Sequence, residues 1–200
     1  MKAHSLVIGN GESRKVVNIN EIDAIKIGCN AIYRDFKVDH LVCVDRRIVN
    51  EVISNKTNLN TKIYTRKDWL HYFYTFKNII EVPELPYIGT ERWDEPFQWG
   101  SGPYAVLIGA LESNEVHIIG FDLYSKNKLV NNVYKDTSNY DTSDKHSVDP
   151  RYWIHQIGMV FKCFPDHKFV IYQEDNWVLP ESWKYFNVSL DKISNISYNN

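Results

Sequence analysis

The sequence is poor in the features that mark disulfide-rich, metal-binding and membrane-spanning proteins. It has three cysteines in 200 residues, Cys29, Cys43 and Cys163, too far apart for a Cys-x-x-Cys motif or a metal-ligand spacing. We interpret all three as reduced thiols in the core. No apolar run reaches the length of about 18 residues that a transmembrane helix needs. The sequence therefore predicts no transmembrane segment.

A strong charge of one sign is also missing. The formal net charge is −2 and the sequence pI is about 6.4, so there is no basic field to attract nucleic acid or an anionic membrane. The N-terminal apolar run, Leu6 to Ile8, is too short for a signal-peptide core. We therefore expect a cytoplasmic protein without a nucleic-acid partner. Whether it forms a homo-oligomer is left open by the sequence.

What the chain does have is an alternation of short apolar, β-branched runs with helical patterns. With 44% hydrophobic and 24% charged residues, its 200 residues suit one domain with a sizeable core. The predicted strands are 5–8, 24–28, 40–44, 62–64, 79–82, 115–120 and 168–172, and the predicted helices are 46–55, 66–76, one that begins near 101, and 151–164. We expect an α/β fold, a single Rossmann-like domain over 1–200 with a mainly parallel sheet, helices on both faces and an irregular tail from Asn176.

Glycine and polar residues follow three successive predicted strands. Gly9-Asn10-Gly11 and Ser13 come after the first strand, Asn30 after the second and Asp45 after the third. Ligands of open α/β sheets bind at the carboxyl ends of the strands, so we expect these residues to share a site. The glycine loop matches a dinucleotide fingerprint only in part, because Arg14 stands where a small residue is needed, and NAD binding is disfavoured.

A second candidate anion site is the helix start Gly100-Ser101-Gly102-Pro103. Ser101 or Gly102 can act as the N-cap and Pro103 suits the first helical position, so free N–H groups and the helix dipole would stabilise a phosphate or carboxylate there. The alternative is a well-capped helix whose glycines serve only a tight turn. The next predicted strand ends in Gly120-Phe121-Asp122-Leu123-Tyr124, which brings an aspartate and a tyrosine to the same sheet edge.

Two segments have the composition of long functional loops. Residues 83–98 are rich in proline, tryptophan and acidic residues, and irregular connections of that length are usually functional or disordered. Residues from about 125 to 150 are polar and lack an apolar period, which is typical of a mobile lid. Tyr134, Tyr140 and His146 lie in this lid segment, and the alternative for each is an ordinary solvated loop residue.

Five short blocks occur in order between residue 5 and about residue 160. They are Gly9-Asn10-Gly11-Glu12-Ser13, Cys29-Asn30, Ser101-Gly102 at a helix start, Gly120-Phe121-Asp122-Leu123-Tyr124, and His146-Ser147. In this order the chain resembles the bacterial lipooligosaccharide sialyltransferases of glycosyltransferase family 42 and, more distantly, the 6-hydroxymethyl-dihydropterin pyrophosphokinase-like proteins.

The resemblance implies a cytidine-nucleotide site and a catalytic group. The nucleotide-binding residues that we predict from it and from the strand-end loops are Gly9, Asn10, Gly11, Ser13, Asn30, Asp45, Ser101, Gly102 and Leu123. It implies that Tyr124 and Tyr134 hydrogen-bond the phosphate and that His146 is the general base. The chain departs from the family at Gly100, where the family has threonine, at Asp45, where it has asparagine, and in a shortened lid and C-terminal part.

By this resemblance we expect an inverting transferase that moves sialic acid or a related sugar from a CMP-activated donor to a glycan acceptor. A histidine with a pKa near 6.5 suits a base at neutral pH, and tyrosine hydroxyls with a helix N-terminus can stabilise the departing phosphate without a metal or another cofactor. Two alternatives stay open. One is a pyrophosphokinase-like phosphoryl transferase in which Asp45 and Asp122 bind Mg²⁺. The other is a nucleotide-binding protein without turnover.

Overall fold

The described chain is built on an eight-stranded sheet whose paired strands all run parallel. The computed structural model describes residues 4–55, 60–86, 99–125 and 127–196. The strands are β1 Ser5–Ile8, β2 Ile25–Cys29, β3 His40–Val42, β4 Lys62–Thr65, β5 Ile79–Glu81, β6 Glu115–Ile119, β7 Lys168–Gln173 and β8 Val188–Lys192. The α-helices are α1 Arg46–Ser54, α2 Ser101–Glu112 and α3 Arg151–Cys163. The predicted Rossmann-like α/β architecture is confirmed.

The strand order is β5-β4-β3-β2-β1-β6-β7-β8, with β1 in the middle. The chain first adds strands on one side of β1, out to β5, and then returns so that β6 pairs with the other side of β1. The connections that follow β1 and β6 therefore leave the sheet in opposite directions. In open α/β sheets such a switch point forms a crevice at the carboxyl ends of the strands.

Burial on both faces of the sheet explains why the strands are continuous apolar runs. In β1, Leu6 and Ile8 pack into the core that includes α1, whereas Val7 packs into the opposite core with α2 and α3. All four residues of β1 are buried. Parallel sheets covered by helices on both faces have this pattern, and the predicted two-sided helix packing is confirmed.

The predicted aromatic helix over 66–76 is wrong. This part of the chain contains only a 3₁₀ helix, Lys67–Tyr72, and none of its residues is buried. Its rings contact both arginines and a core: the guanidinium of Arg46 lies 4.5 Å from the centre of the Tyr72 ring, and Trp69 packs against the core that includes α1. Trp69 donates its indole N–H to the Val44 carbonyl at 3.0 Å. After the 3₁₀ helix, Phe73 is 3% exposed and belongs to the same core, so the aromatic spacing serves core packing as well as cation–π contacts.

The predicted irregular tail from Asn176 is also wrong, because it contains a 3₁₀ helix, Glu181–Trp183, and the edge strand β8. Trp183 is 1% exposed and donates its indole N–H to the Ile154 carbonyl of α3 at 2.9 Å. Strand β8 is mostly exposed and carries polar residues, so it has little of the apolar signal that identified the inner strands.

Short 3₁₀ helices replace a full helix in the connection from β1 to β2. They span Glu12–Val16 and Ile19–Glu21. Most of the predicted connection over 83–98, from residue 87 to residue 98, lies outside the described residues.

Candidate functional site

A cavity of about 420 Å³ lies at the switch point, between the loops after β1, β2, β3 and β6 and the start of α2. Eight of the nine predicted nucleotide-binding residues line it: Gly9, Asn10, Gly11, Asn30, Asp45, Ser101, Gly102 and Leu123. The ninth, Ser13, lines a neighbouring cavity of about 470 Å³. We call these the first and the second cavity. The loops that the sequence predicted to share an edge do meet there.

The glycine loop is required by the contact between the loops after β1 and β6. Backbone N–H groups of Gly9 and Gly11 donate to the Ile119 and Gly120 carbonyls, each at 2.8 Å. A Cβ added at Gly9 would lie under 3.0 Å from the Gly120 backbone, and one at Gly11 would overlap the Asp122 carboxyl group. These two glycines therefore let two loops of the protein approach each other, a requirement that exists without any ligand.

Asn10 is held in place by one end of its amide while the other end is unused. Its Nδ2 donates to the Cys29 carbonyl at 3.1 Å, and the residue is 8% exposed. Its Oδ1 is buried without a hydrogen-bond partner among the described residues. An unpaired buried acceptor costs about 1–3 kcal/mol. Because Oδ1 is buried, a ligand can donate a hydrogen bond to it only when neighbouring groups move aside.

The N-terminus of α2 differs in detail from the prediction. The N-cap is Gly100, and Pro103 occupies the third helical position rather than the first, so the predicted caps and first position are wrong. Ser101 uses its hydroxyl within the protein: Oγ donates to Asn30 Oδ1 at 2.8 Å and accepts the Val44 N–H at 3.1 Å. The hydroxyl therefore joins three loops around the cavity.

The first turn of α2 still has backbone N–H groups without an acceptor in the helix. The N–H groups of Ser101 and Gly102 belong to the first turn of α2 and have no carbonyl acceptor within the helix. Both residues line the first cavity. Together with the positive end of the helix dipole, these groups can stabilise an anion at the cavity wall.

Asp45 lines the first cavity and caps α1. Its Oδ1 accepts the Arg47 N–H at 2.8 Å, and its Oδ2 lies 2.7 Å from the Arg47 guanidinium. Burial opposes ionisation of the carboxyl group, but the hydrogen bonds from Arg47 outweigh it and lower the pKa of Asp45. The carboxylate is thus ionised and already has a cationic partner.

Asp122 lies where the two cavities meet, since it lines both of them. It is 9% exposed. Its carboxylate accepts hydrogen bonds from the Ser13 N–H at 3.1 Å, from the Ser13 hydroxyl, and from Gln173 Nε2 at 3.3 Å. From the sequence we placed Asp122 at the ligand-binding edge of the sheet, but gave it a chemical role only as a Mg²⁺ ligand. Its position after a buried strand was the available signal for a wider role.

The phosphate tyrosines and the base that the resemblance implies are not brought together. Tyr134 lies outside the linings of both cavities; its hydroxyl donates to Asp35 at 2.7 Å and accepts from Arg14 at 2.8 Å. Burial raises the pKa of Tyr134. Tyr124 is 42% exposed and lines the second cavity. His146 is exposed and lines neither cavity, and its neighbour along the chain, Ser147, lines the first.

Hydrogen bonds hold the predicted lid segment against the rest of the domain in this structure. The Ala31 N–H donates to the Tyr140 hydroxyl at 3.1 Å, and Arg34 donates to Thr137 Oγ1 at 2.8 Å. Asn139 donates to Glu51 of α1 at 2.6 Å. Tyr140 itself lines the first cavity, so this segment forms one of its walls. Its opening and closing as a lid stay a prediction.

The described residues contain no group of three or more His, Cys, Asp or Glu side chains arranged to hold a metal ion. The three cysteines are free; Cys29 and Cys43 are buried as predicted, whereas Cys163 is only partly buried, so its predicted core position is wrong. Burial raises the pKa of the Cys29 thiol to about 12. In the same part of the chain, no helix combines the length and apolar character needed to span a membrane.

Comparisons with protein-family models, with curated proteins and with solved structures find no match to this chain. Its function must therefore be argued from the geometry of the two cavities.

Proposed function

We propose that the chain transfers a sugar, sialic acid or a related one, from a CMP-activated donor to a glycan acceptor, with the cytidine nucleotide bound in the first cavity. The observation that supports the proposal is that residues with an unused hydrogen-bond acceptor and unused hydrogen-bond donors line the same cavity. Asn10, whose Oδ1 is buried without a hydrogen-bond partner among the described residues, lines a space of about 420 Å³. Ser101 and Gly102, whose N–H groups have no acceptor within the helix, line the same space. A nucleotide offers a matching hydrogen-bond donor and a matching anion in one molecule.

The roles follow from the chemistry of each group. The start of α2 binds the phosphate through backbone N–H groups and the helix dipole. Asn10 Oδ1 accepts a hydrogen bond from a ribose hydroxyl or from the amino group of cytosine. Leu123 adds apolar contact from the loop after β6. No resident metal or other cofactor is part of the proposal.

Transfer with inversion forms a bond between an acceptor hydroxyl oxygen and the anomeric carbon as the bond from that carbon to the phosphate breaks. CMP leaves with the bonding electron pair, and backbone donors at α2 stabilise the charge that develops on it. The proton of the acceptor hydroxyl passes to a general base. This step needs a basic side chain that faces both the donor and the acceptor.

We assign this proton transfer to Asp122, because this residue lines both cavities. His146, which the resemblance implies, is the competing candidate. Asp122→Asn should lower turnover by about 10²–10⁴-fold while CMP affinity changes little, and His146→Ala should retain turnover. The reverse result would assign the general base to His146. Urea unfolding of both variants checks that each is folded.

Calorimetry against CMP, CDP, CTP, ATP, GTP and UDP tests the nucleotide directly. Cytidine nucleotides should bind, and the heat should vanish when the first cavity is blocked by Gly102→Trp. Binding of purine nucleotides without cytidine nucleotides would refute the proposal. Tight cytidine binding with no turnover of any CMP-sugar would instead identify a nucleotide-binding protein.

A further inference from the structure

The second cavity has a different chemistry from the first. Its volume is about 470 Å³, and it lies at the carboxyl ends of β6 and β7. Asp122, Ser125, Val130 and Asn131 line both cavities, so the two spaces share a wall. A ligand in the second cavity would therefore be adjacent to a ligand in the first.

Two aromatic rings form one side of the second cavity. Trp177 donates its indole N–H to the Asp122 carbonyl at 2.7 Å, which fixes the orientation of the indole. The Tyr124 ring lies 6.1 Å from it, centre to centre, at an angle of 43°. Tyr124 is 42% exposed although it lies beside a buried strand end. Rigid amphipathic rings of this kind offer an apolar face together with a polar edge.

The charges around the second cavity disfavour a charged ligand. Its lining has three carboxylates, Glu12, Asp122 and Glu174, and one ammonium group, Lys135. Lys135 lies 3.1 Å from Glu12, so its charge is matched, and the excess of negative charge repels an anion. A cation finds few open carboxylates, since Glu12 also pairs with Lys15 at 2.9 Å and Asp122 is only 9% exposed.

We infer that the second cavity binds a neutral saccharide. A sugar ring has an apolar face that suits Trp177 and Tyr124, and hydroxyls that suit the polar side formed by Asn131, Gln173 and Asp122. The hydroxyl nearest the shared wall faces Asp122 and the first cavity. Only the role of this saccharide as the acceptor rests on the proposed function; its binding does not.

The test measures binding of neutral disaccharides by saturation-transfer NMR and titration. The probes are lactose, maltose and cellobiose, with glucose 1-phosphate and choline as charged comparisons, each with and without CMP. At least one neutral disaccharide should bind. Its affinity should fall about three- to tenfold in Tyr124→Ala, the loss expected for one aromatic contact. Tyr185→Ala is the matched control, because Tyr185 is 82% exposed and lies outside both cavities.

The outcomes test the saccharide site and the proposed transferase separately. Loss of disaccharide binding in Tyr124→Ala with unchanged CMP affinity supports the saccharide site. Absence of neutral disaccharide binding with and without CMP overturns it, as does tighter binding of glucose 1-phosphate or choline that Tyr124→Ala abolishes. Disaccharide binding that depends on Tyr124 in a protein that binds no cytidine nucleotide keeps the saccharide site and refutes the proposed transferase.

Discussion

Replacing Asn10 with alanine separates a ligand-binding role from a structural one. In the free protein the substitution removes the hydrogen bond from Nδ2 to the Cys29 carbonyl, 3.1 Å long, which stabilises by about 0.5–1.5 kcal/mol. It also removes the buried, unpaired Oδ1, whose burial costs about 1–3 kcal/mol. The two effects oppose each other. We therefore expect the free energy of unfolding to fall by less than about 1 kcal/mol or to rise.

Nucleotide binding should respond more strongly. When a donor of the nucleotide pairs with Oδ1, the native protein regains the cost of the unpaired acceptor, and the alanine variant cannot. A difference of about 1–3 kcal/mol corresponds to about a 5- to 150-fold increase in Kd. Calorimetry with CMP measures this loss, and urea unfolding at constant m value measures stability in the same samples.

Asn78→Ala is the matched control at the opposite edge of the sheet. Asn78 precedes β5, and its Nδ2 donates to the Thr61 carbonyl at 3.0 Å, which is the same type of bond that Asn10 makes. We expect this variant to lose about 0.5–1.5 kcal/mol of stability and to bind CMP normally. If Asn10→Ala binds CMP as tightly as the native protein, or if both variants weaken binding equally, the unpaired Oδ1 has no role in recognition.

Three other predictions concern the support of the site, its metal requirement and its acid sensitivity. Ser101→Ala leaves an N–H and an amide oxygen unpaired, so the free energy of unfolding measured in urea should fall by about 1–3 kcal/mol. The control Ser54→Ala changes an exposed residue and should alter stability by less than about 0.5 kcal/mol. Equal losses in the two variants would contradict the loop-joining role of the Ser101 hydroxyl. Turnover of a CMP-sugar should survive EDTA, and a loss that Mg²⁺ restores would favour the phosphoryl-transfer alternative. Burial, and then the neighbouring His4, lower the pKa of His117 from its ordinary value of 6.5, so the unfolded chain binds more protons and stability falls as the pH drops below 6.5. In His117→Gln this loss below about pH 6.5 should be smaller, and His40, whose pKa burial also lowers, still contributes. An unchanged pH profile would show that His117 does not contribute.

The sequence determined much of the fold because the signals involved are local. The β1 run from Ser5 to Ile8 is buried at every position, so its apolar character is visible without knowledge of its neighbours. A single physical rule predicts that Asn10, Asn30 and Asp45 meet at one cavity. Parallel strands end at a common edge, and the residues after them must meet there.

Partners distant in sequence were decided only by the tertiary structure. The hydrogen bond from Ser101 to Asn30 spans 71 positions, and those between Ser13 and Asp122 span 109. No local sequence pattern predicts these hydrogen-bonded pairs, because they depend on which strand lies beside β1. The strand order also decided that Asp122, and not His146, lies between the two cavities. Local propensity can mark where a polar side chain leaves a strand, but the group that it contacts is set by long-range packing of the whole sheet.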